Sequence, residues 1–359
     1  MDDKKVSRRH FVKSTAAESS VLLAATIMPF HILKSKPKLS ADVIGHGDFK
    51  YRVHTEWGQL DAKKYPVKNC HEMVKDHKGR LLMLTDERTN NVLIYDKSGK
   101  LLDSWTLNLD GAHGLTIHDE GGDEYLYITD IASGRVIKST LQGKIIMELT
   151  HPRISGVYDA LSKFSPTETA IGPNGDIYVA DGYGSQFILR YDAKGNFISK
   201  FGGDSYLQES KFKQVHGVAI DNRDPNNPIL ICTARMKNAF KRFSLDGTYI
   251  ETIYLPGAFM SRAVLDGENI YSGVCFGMDK GDYNPKLNRG FVTILDKNNR
   301  VVSNPGGTKP RYKEGKLELM LQDKPIFKHC HDVCIDEDKN LYVCQWNAGG
   351  IYPYKLERV

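Results

Sequence analysis

One unit recurs six times along this chain. It consists of a short apolar strand, a turn containing Asp, Asn or Gly, a β-rich run such as Asp176-Ile177-Tyr178-Val179-Ala180-Asp181, a polar turn and two further strands. Four strands per unit is the arithmetic of a propeller blade, and stacking such units around a ring buries apolar faces that no single unit can bury alone. The clearest copy runs from Thr167 through Ile188-Leu189-Arg190-Tyr191 to Phe197-Ile198-Ser199-Lys200-Phe201, with residues 192–196 as the hairpin turn between its last two strands. Residues 96–100 and 246–248 repeat that turn. Aligning the first strands places His71, His113, Thr167, His216, Arg262 and His331 at equivalent positions, with spacings of 42, 54, 49, 46 and 69 residues and the longest loop within residues 276–327. The last unit ends after a third strand over residues 351–356, so residues 50–57 are expected to supply its fourth. The pattern predicts an all-β, six-bladed β-propeller whose last blade is closed by an N-terminal strand, which removes exposed sheet edges. A β-sandwich or a string of small β-domains would not keep six copies in phase.

The repeat occupies residues 46–359 of the 359-residue chain, and residues 1–45 read as leader and linker. Ser7-Arg8-Arg9-His10-Phe11-Val12-Lys13 followed by an apolar run over residues 21–30 has the form of a bacterial twin-arginine export signal, which predicts a periplasmic or extracellular protein. That run is too short to span a bilayer. Without residues 1–38 the basic and acidic residues are equal at 41 each, so the repeat domain carries no electrostatic footprint for nucleic acid. The six cysteines include no Cys-x-x-Cys pair; Cys334 and Cys344 could face each other across one hairpin, and Cys70 and Cys330 hold matching places in two repeats.

Equivalent positions on innermost strands converge on the propeller axis, and four of the six here are histidine. Three neutral imidazoles around one point, with a position left for water or substrate, suit a catalytic zinc. The segments His113-Gly114-Leu115 with Thr129-Asp130, Asp181-Gly182-Tyr183, Val215-His216-Gly217-Val218-Ala219 with Ala234-Arg235, and His331-Asp332-Val333 resemble the NHL-type propeller of peptidyl-α-hydroxyglycine α-amidating lyase, over roughly residues 50 to 359. The resemblance implies zinc on His113, His216 and His331, with Tyr183 as proton-accepting phenolate and Arg235 as partner of the substrate carboxylate. It also implies a structural calcium with Asp332 as ligand and the Leu115 main-chain oxygen nearby. The implied reaction splits a peptidyl-α-hydroxyglycine into a peptide amide and glyoxylate.

The sequence departs from that pattern at several places. His71 and His329 are additional histidines that could enlarge the metal site, and the family's further arginine has only Arg88, in Asp86-Glu87-Arg88, as a loose match. Cysteines associated with the family's third blade are absent from Phe164-Ser165-Pro166 and Tyr183-Gly184-Ser185. Asp86, Asp130 and Asp181 read as turn-formers, and Glu168 as a hydrogen-bond acceptor ordering the channel. Beside the lyase stand two other readings: a metal-dependent hydrolase such as a lactonase or esterase, and a non-catalytic NHL-type binding module. Either enzyme would take a small-molecule or peptide-derived substrate.

Overall fold

In the computed structural model, which describes residues 43–350 and 352–359, the repeat is a ring of six antiparallel sheets and the fold is the expected six-bladed β-propeller. The innermost strands are Cys70–Lys75, Ala112–Glu120, Glu168–Ile171, Val215–Asp221, the broken pair Phe259–Met260 and Val264–Asp266, and Cys330–Ile335. In each of the first four blades three more strands follow outward in sequence order. The fifth blade carries an extra hairpin strand, Asp282–Lys286, paired with its long second strand Asn269–Asp279. The sixth is closed as expected, because Phe49–His54 pairs with the last strand, Tyr354–Arg358. Val43–His46 then adds a fifth strand, so the sheet reaches further toward the N-terminus than the expected domain start at residue 46. The leader lies outside the described residues.

Buried apolar side chains form six clusters, each lying between two neighbouring blades. Between the first and second blades, for example, Leu82, Leu84 and Ile94 meet Leu115, Leu126 and Ile128. Alternation along a strand sends successive side chains to opposite faces, and in a ring of blades both faces find a partner. This is why inner strands such as Leu81–Thr85 are buried throughout rather than on one side.

The repeated turn also forms. Asp192 Oδ1 accepts from the Lys194 and Asn196 amides, and Gly195 takes φ +82°, a conformation that glycine adopts at no steric cost. The six cysteines are all buried. Cys334 and Cys344 do not face each other directly, since their cross-strand partners are Tyr342 and Asp332.

Candidate metal centre

The ladder between first and second strands slips at each ring histidine. The register shifts fall between Cys70 and Glu72, Ala112 and Leu115, Val215 and Val218, and Cys330 and Asp332. A bulge releases one residue from cross-strand pairing and re-aims its side chain, and here the released residues include His71, His113, His216 and His331. The glycines after two of them permit close approach of the next blade. A Cβ on Gly114 would lie 2.5 Å from the Thr167 carbonyl oxygen, and one on Gly217 would lie 2.7 Å from the Arg262 Cα.

The four imidazoles gather on the axis. Ring centroids are 4.9 Å apart for His71 and His113, 4.8 Å for His71 and His331, 4.8 Å for His113 and His331, 4.7 Å for His113 and His216, and 5.0 Å for His216 and His331. His113 Nδ1 donates to the Thr167 carbonyl at 2.8 Å and His331 Nδ1 to the His71 carbonyl at 2.9 Å. Each bond places the ring proton on Nδ1 and leaves Nε2 as a lone pair, the arrangement by which a metal-binding histidine is oriented. His113 Nε2, His71 Nδ1 and His216 Nδ1 are buried with no hydrogen-bond partner. Burial pushes His113, His216 and His331 well below the usual imidazole value, reinforced by neighbouring histidines and Arg235, so these rings are neutral. Orphaned neutral nitrogens in a buried cluster are costly unless something binds them, and they fit a metal ion.

The most compact donor set differs from the expected one by one residue. Ligand atoms of His71, His113 and His331 lie within 4.8 Å of one another, whereas His216 Nε2 is 3.1 Å from the Tyr183 hydroxyl. His71 is steered by Asp86, whose Oδ2 lies 3.5 Å from His71 Nε2 and which is itself held by the Asn69 amide and side chain. Burial alone would raise the Asp86 carboxyl, but these partners hold it below its ordinary value. A residue expected only to shape a turn therefore also orients a ring histidine.

Tyr183 and Arg235 join the ring. Val215 pairs with Ala234, so Arg235, following the second strand, stands at the same end of its blade as His216. Arg235 is 2% exposed; its Nε donates to the Met260 carbonyl at 2.8 Å, Nη2 to Ser261 Oγ at 3.0 Å and Nη1 to the Tyr183 hydroxyl at 3.4 Å. Burial raises the Tyr183 phenol and Arg235 opposes that shift, leaving a neutral phenol in the absence of a further cation. A pocket of about 410 Å³ lies beside Tyr183, lined in part by Gln186, Lys213 and Met236.

Four expected residues take other roles. His329 Nδ1 lies 3.1 Å from the Trp346 carbonyl and its Nε2 accepts from the Asn288 amide at 3.0 Å, so neither nitrogen remains for a metal. Arg88 stays on the rim, 3.5 Å from Asp110, and makes no contact with the ring. Asp332 and the Leu115 carbonyl do come together, but around the guanidinium of Arg262. Nε and Nη2 of Arg262 each donate to Asp332 at 2.9 Å and Nη1 donates to Leu115 O at 2.7 Å, so the expected calcium does not fit the site. Glu168 is an acceptor, as expected, taking the Thr169 amide at 2.8 Å.

No protein-family model matches the chain. A probable peptidyl-alpha-hydroxyglycine alpha-amidating lyase of Caenorhabditis elegans is 36% identical over 128 residues, 35% of this chain and 34% of that protein. Peptidyl-alpha-hydroxyglycine alpha-amidating lyase 1 of Drosophila melanogaster is 28% identical over 343 residues, 88% of this chain. The chain spans 56% of that relative's length. NHL repeat-containing protein 3 of Mus musculus is 26% identical over 136 residues, 36% of this chain and 39% of the mouse protein. Among solved structures, virginiamycin B lyase from Staphylococcus aureus superposes with a TM-score of 0.52 at 14% identity, covering 81% of this chain and 96% of that one. A gluconolactonase from Xanthomonas campestris gives 0.53 at 14% identity, covering 87% and 90%. These two likenesses concern the fold. By architecture a six-bladed β-propeller, the chain is by sequence a relative of the peptidyl-alpha-hydroxyglycine alpha-amidating lyases and of NHL repeat proteins.

Proposed function

We propose that this chain is an exported, zinc-dependent lyase that cleaves an α-hydroxyglycine-like carbinolamide into an amide and glyoxylate. The observation that carries the reading is Tyr183, a buried phenol held between His216 and Arg235 at the edge of a cluster of imidazole donors. Similarity to lyases over most of the chain supports it, and the twin-arginine leader supports export. A set of neutral imidazoles suits zinc better than calcium, which takes oxygen ligands. His113 and His331, whose tautomers are already fixed, would hold the ion together with a third ring histidine. Zinc would lower the pKa of a bound substrate hydroxyl.

The chain's own groups account for the remaining steps. Arg235 has five N–H donors, of which Met260, Ser261 and Tyr183 engage three, leaving two for a substrate carboxylate. Anchored there, the substrate presents its carbinol hydroxyl to the Tyr183 oxygen, which would take the proton as a phenolate, the form that a cation in the ring beside Arg235 would favour over the phenol. The carbon–nitrogen bond then breaks, its electron pair leaves on the amide nitrogen, which takes the proton back from Tyr183, and the former carbinol carbon departs as the aldehyde of glyoxylate. A calcium-dependent hydrolase on this scaffold would need carboxylates free for the ion, whereas Glu72, Glu168 and Asp332 all face Arg262.

Elemental analysis tests the metal site. The expected result is about one zinc per chain in the wild type and near loss of it in His113→Ala. A wild-type protein that takes up no transition metal after zinc reconstitution would remove the reading.

A further inference from the structure

We infer that the guanidinium of Arg262 is the permanent occupant of an axial cation site, so that this propeller is tied together by an internal charge and has no requirement for a structural calcium ion.

Arg262 lies in the gap between the two short inner strands of the fifth blade, and its side chain reaches four other blades. From the sixth blade Asp332 offers both carboxylate oxygens at 2.9 Å. From the first come Glu72 Oε2 at 3.0 Å and the Met73 carbonyl at 3.3 Å. The second contributes the Leu115 carbonyl at 2.7 Å and the third Glu168 Oε2 at 3.4 Å. Three carboxylates and two main-chain carbonyls form the all-oxygen environment that a hard divalent cation would choose. Here a planar, always-charged fork with five N–H donors fills it instead, and each of its three nitrogens is engaged.

The backbone is shaped to deliver that side chain. Ser272 Oγ donates to the Arg262 carbonyl at 2.7 Å, and the absence of a side chain on Gly217 lets the fourth blade close against the Arg262 Cα. Arg262 itself is 9% exposed, and the surface it retains borders a pocket of about 360 Å³ that it shares with Val74, Thr116 and Val218. That pocket contains none of the ring histidines, Tyr183 or Arg235. The guanidinium therefore belongs to a layer of the channel distinct from the imidazole layer, one residue along from His71 and His331 through Glu72 and Asp332.

A covalently attached cation differs from a bound ion in a measurable way: its contribution cannot be removed by dialysis or increased by mass action. Calcium content after gel filtration and the thermal midpoint across a calcium titration test this in the wild type, with the protein otherwise as purified. The expected result is no stoichiometric calcium and a midpoint that does not move. About one tightly held calcium per chain, or a midpoint that climbs as calcium is added, would overturn the inference. The Arg262→Ala variant tests the converse. It leaves the oxygen cage without its cation, so its midpoint is expected to fall and then to recover by roughly 5 °C or more in millimolar calcium but not in an equal concentration of sodium chloride. A folded Arg262→Ala protein indifferent to calcium would also overturn it. Should that variant fail to fold, the wild-type measurements still decide.

Discussion

Tyr183→Phe is expected to lower kcat by about 10²- to 10⁴-fold while leaving the fold and metal content intact, because it removes the proton acceptor and nothing else that the ring needs. The aromatic ring stays useful without its oxygen: it packs edge-on against His113 and His216 at centroid separations of 5.3 and 5.6 Å. The lost hydroxyl contacts are long, 3.1 Å to His216 and 3.4 Å from Arg235, so the change in unfolding free energy should stay near 1–2 kcal/mol. Single-turnover glyoxylate release at matched metal content, together with urea unfolding, separates the two effects. A Tyr183→Phe protein of undiminished rate would assign the proton to another group.

Gly184→Ala should act in the opposite order, costing stability first and activity as a consequence. A Cβ there would lie 1.9 Å from Asp181 Oδ1 and 2.5 Å from the Lys163 carbonyl, distances no real Cβ tolerates. The carboxylate cannot simply step aside. Its Oδ1 accepts the Ser165 amide at 2.7 Å, while Oδ2 accepts the Ser185 amide at 2.5 Å and the Tyr158 hydroxyl at 2.8 Å. These bonds pin residues 158 and 165 to the hairpin that carries Tyr183. A loss of about 3 kcal/mol in urea unfolding is expected, at the upper end of what overpacking costs, along with a fall in kcat as Tyr183 shifts relative to His216. Unchanged stability would mean that this loop relaxes more freely than its hydrogen bonds indicate.

The propeller and most of its ring were legible because a repeat carries its own register. Once His71, His113, His216 and His331 fall at equivalent places in successive blades, convergence on the axis follows without any knowledge of side-chain direction. The bulges that turn those four side chains inward leave no mark in composition, yet their effect is the same at each repeat and the alignment absorbs it. What the sequence concealed were relations between blades. Arg262 occupies the fifth equivalent position, but only the assembled ring shows Asp332, Glu72, Glu168 and two carbonyls closing on it, and so the expected calcium gave way to a guanidinium. Asp86 follows a second strand just as Asp181 does and Asp130 ends one, and its role toward His71 comes from one side-chain approach rather than from a pattern. His329 drew attention as an extra imidazole beside His331; two backbone hydrogen bonds and packing against Phe276 and Trp346 make it a structural residue. A partial signal for that role was its position outside the repeat's register.

The central claim is that a metal in the histidine ring and Tyr183 together cleave a carbinolamide. Its most direct test is to strip metal from the purified protein, restore zinc to half of the sample, supply a peptidyl-α-hydroxyglycine, and quantify glyoxylate and peptide amide in both halves. The account predicts glyoxylate and amide in equal amounts from the zinc-restored protein and only the uncatalysed rate from the metal-free one. Folded, zinc-restored protein that releases no glyoxylate, or metal-free protein that releases it as fast, would contradict the account.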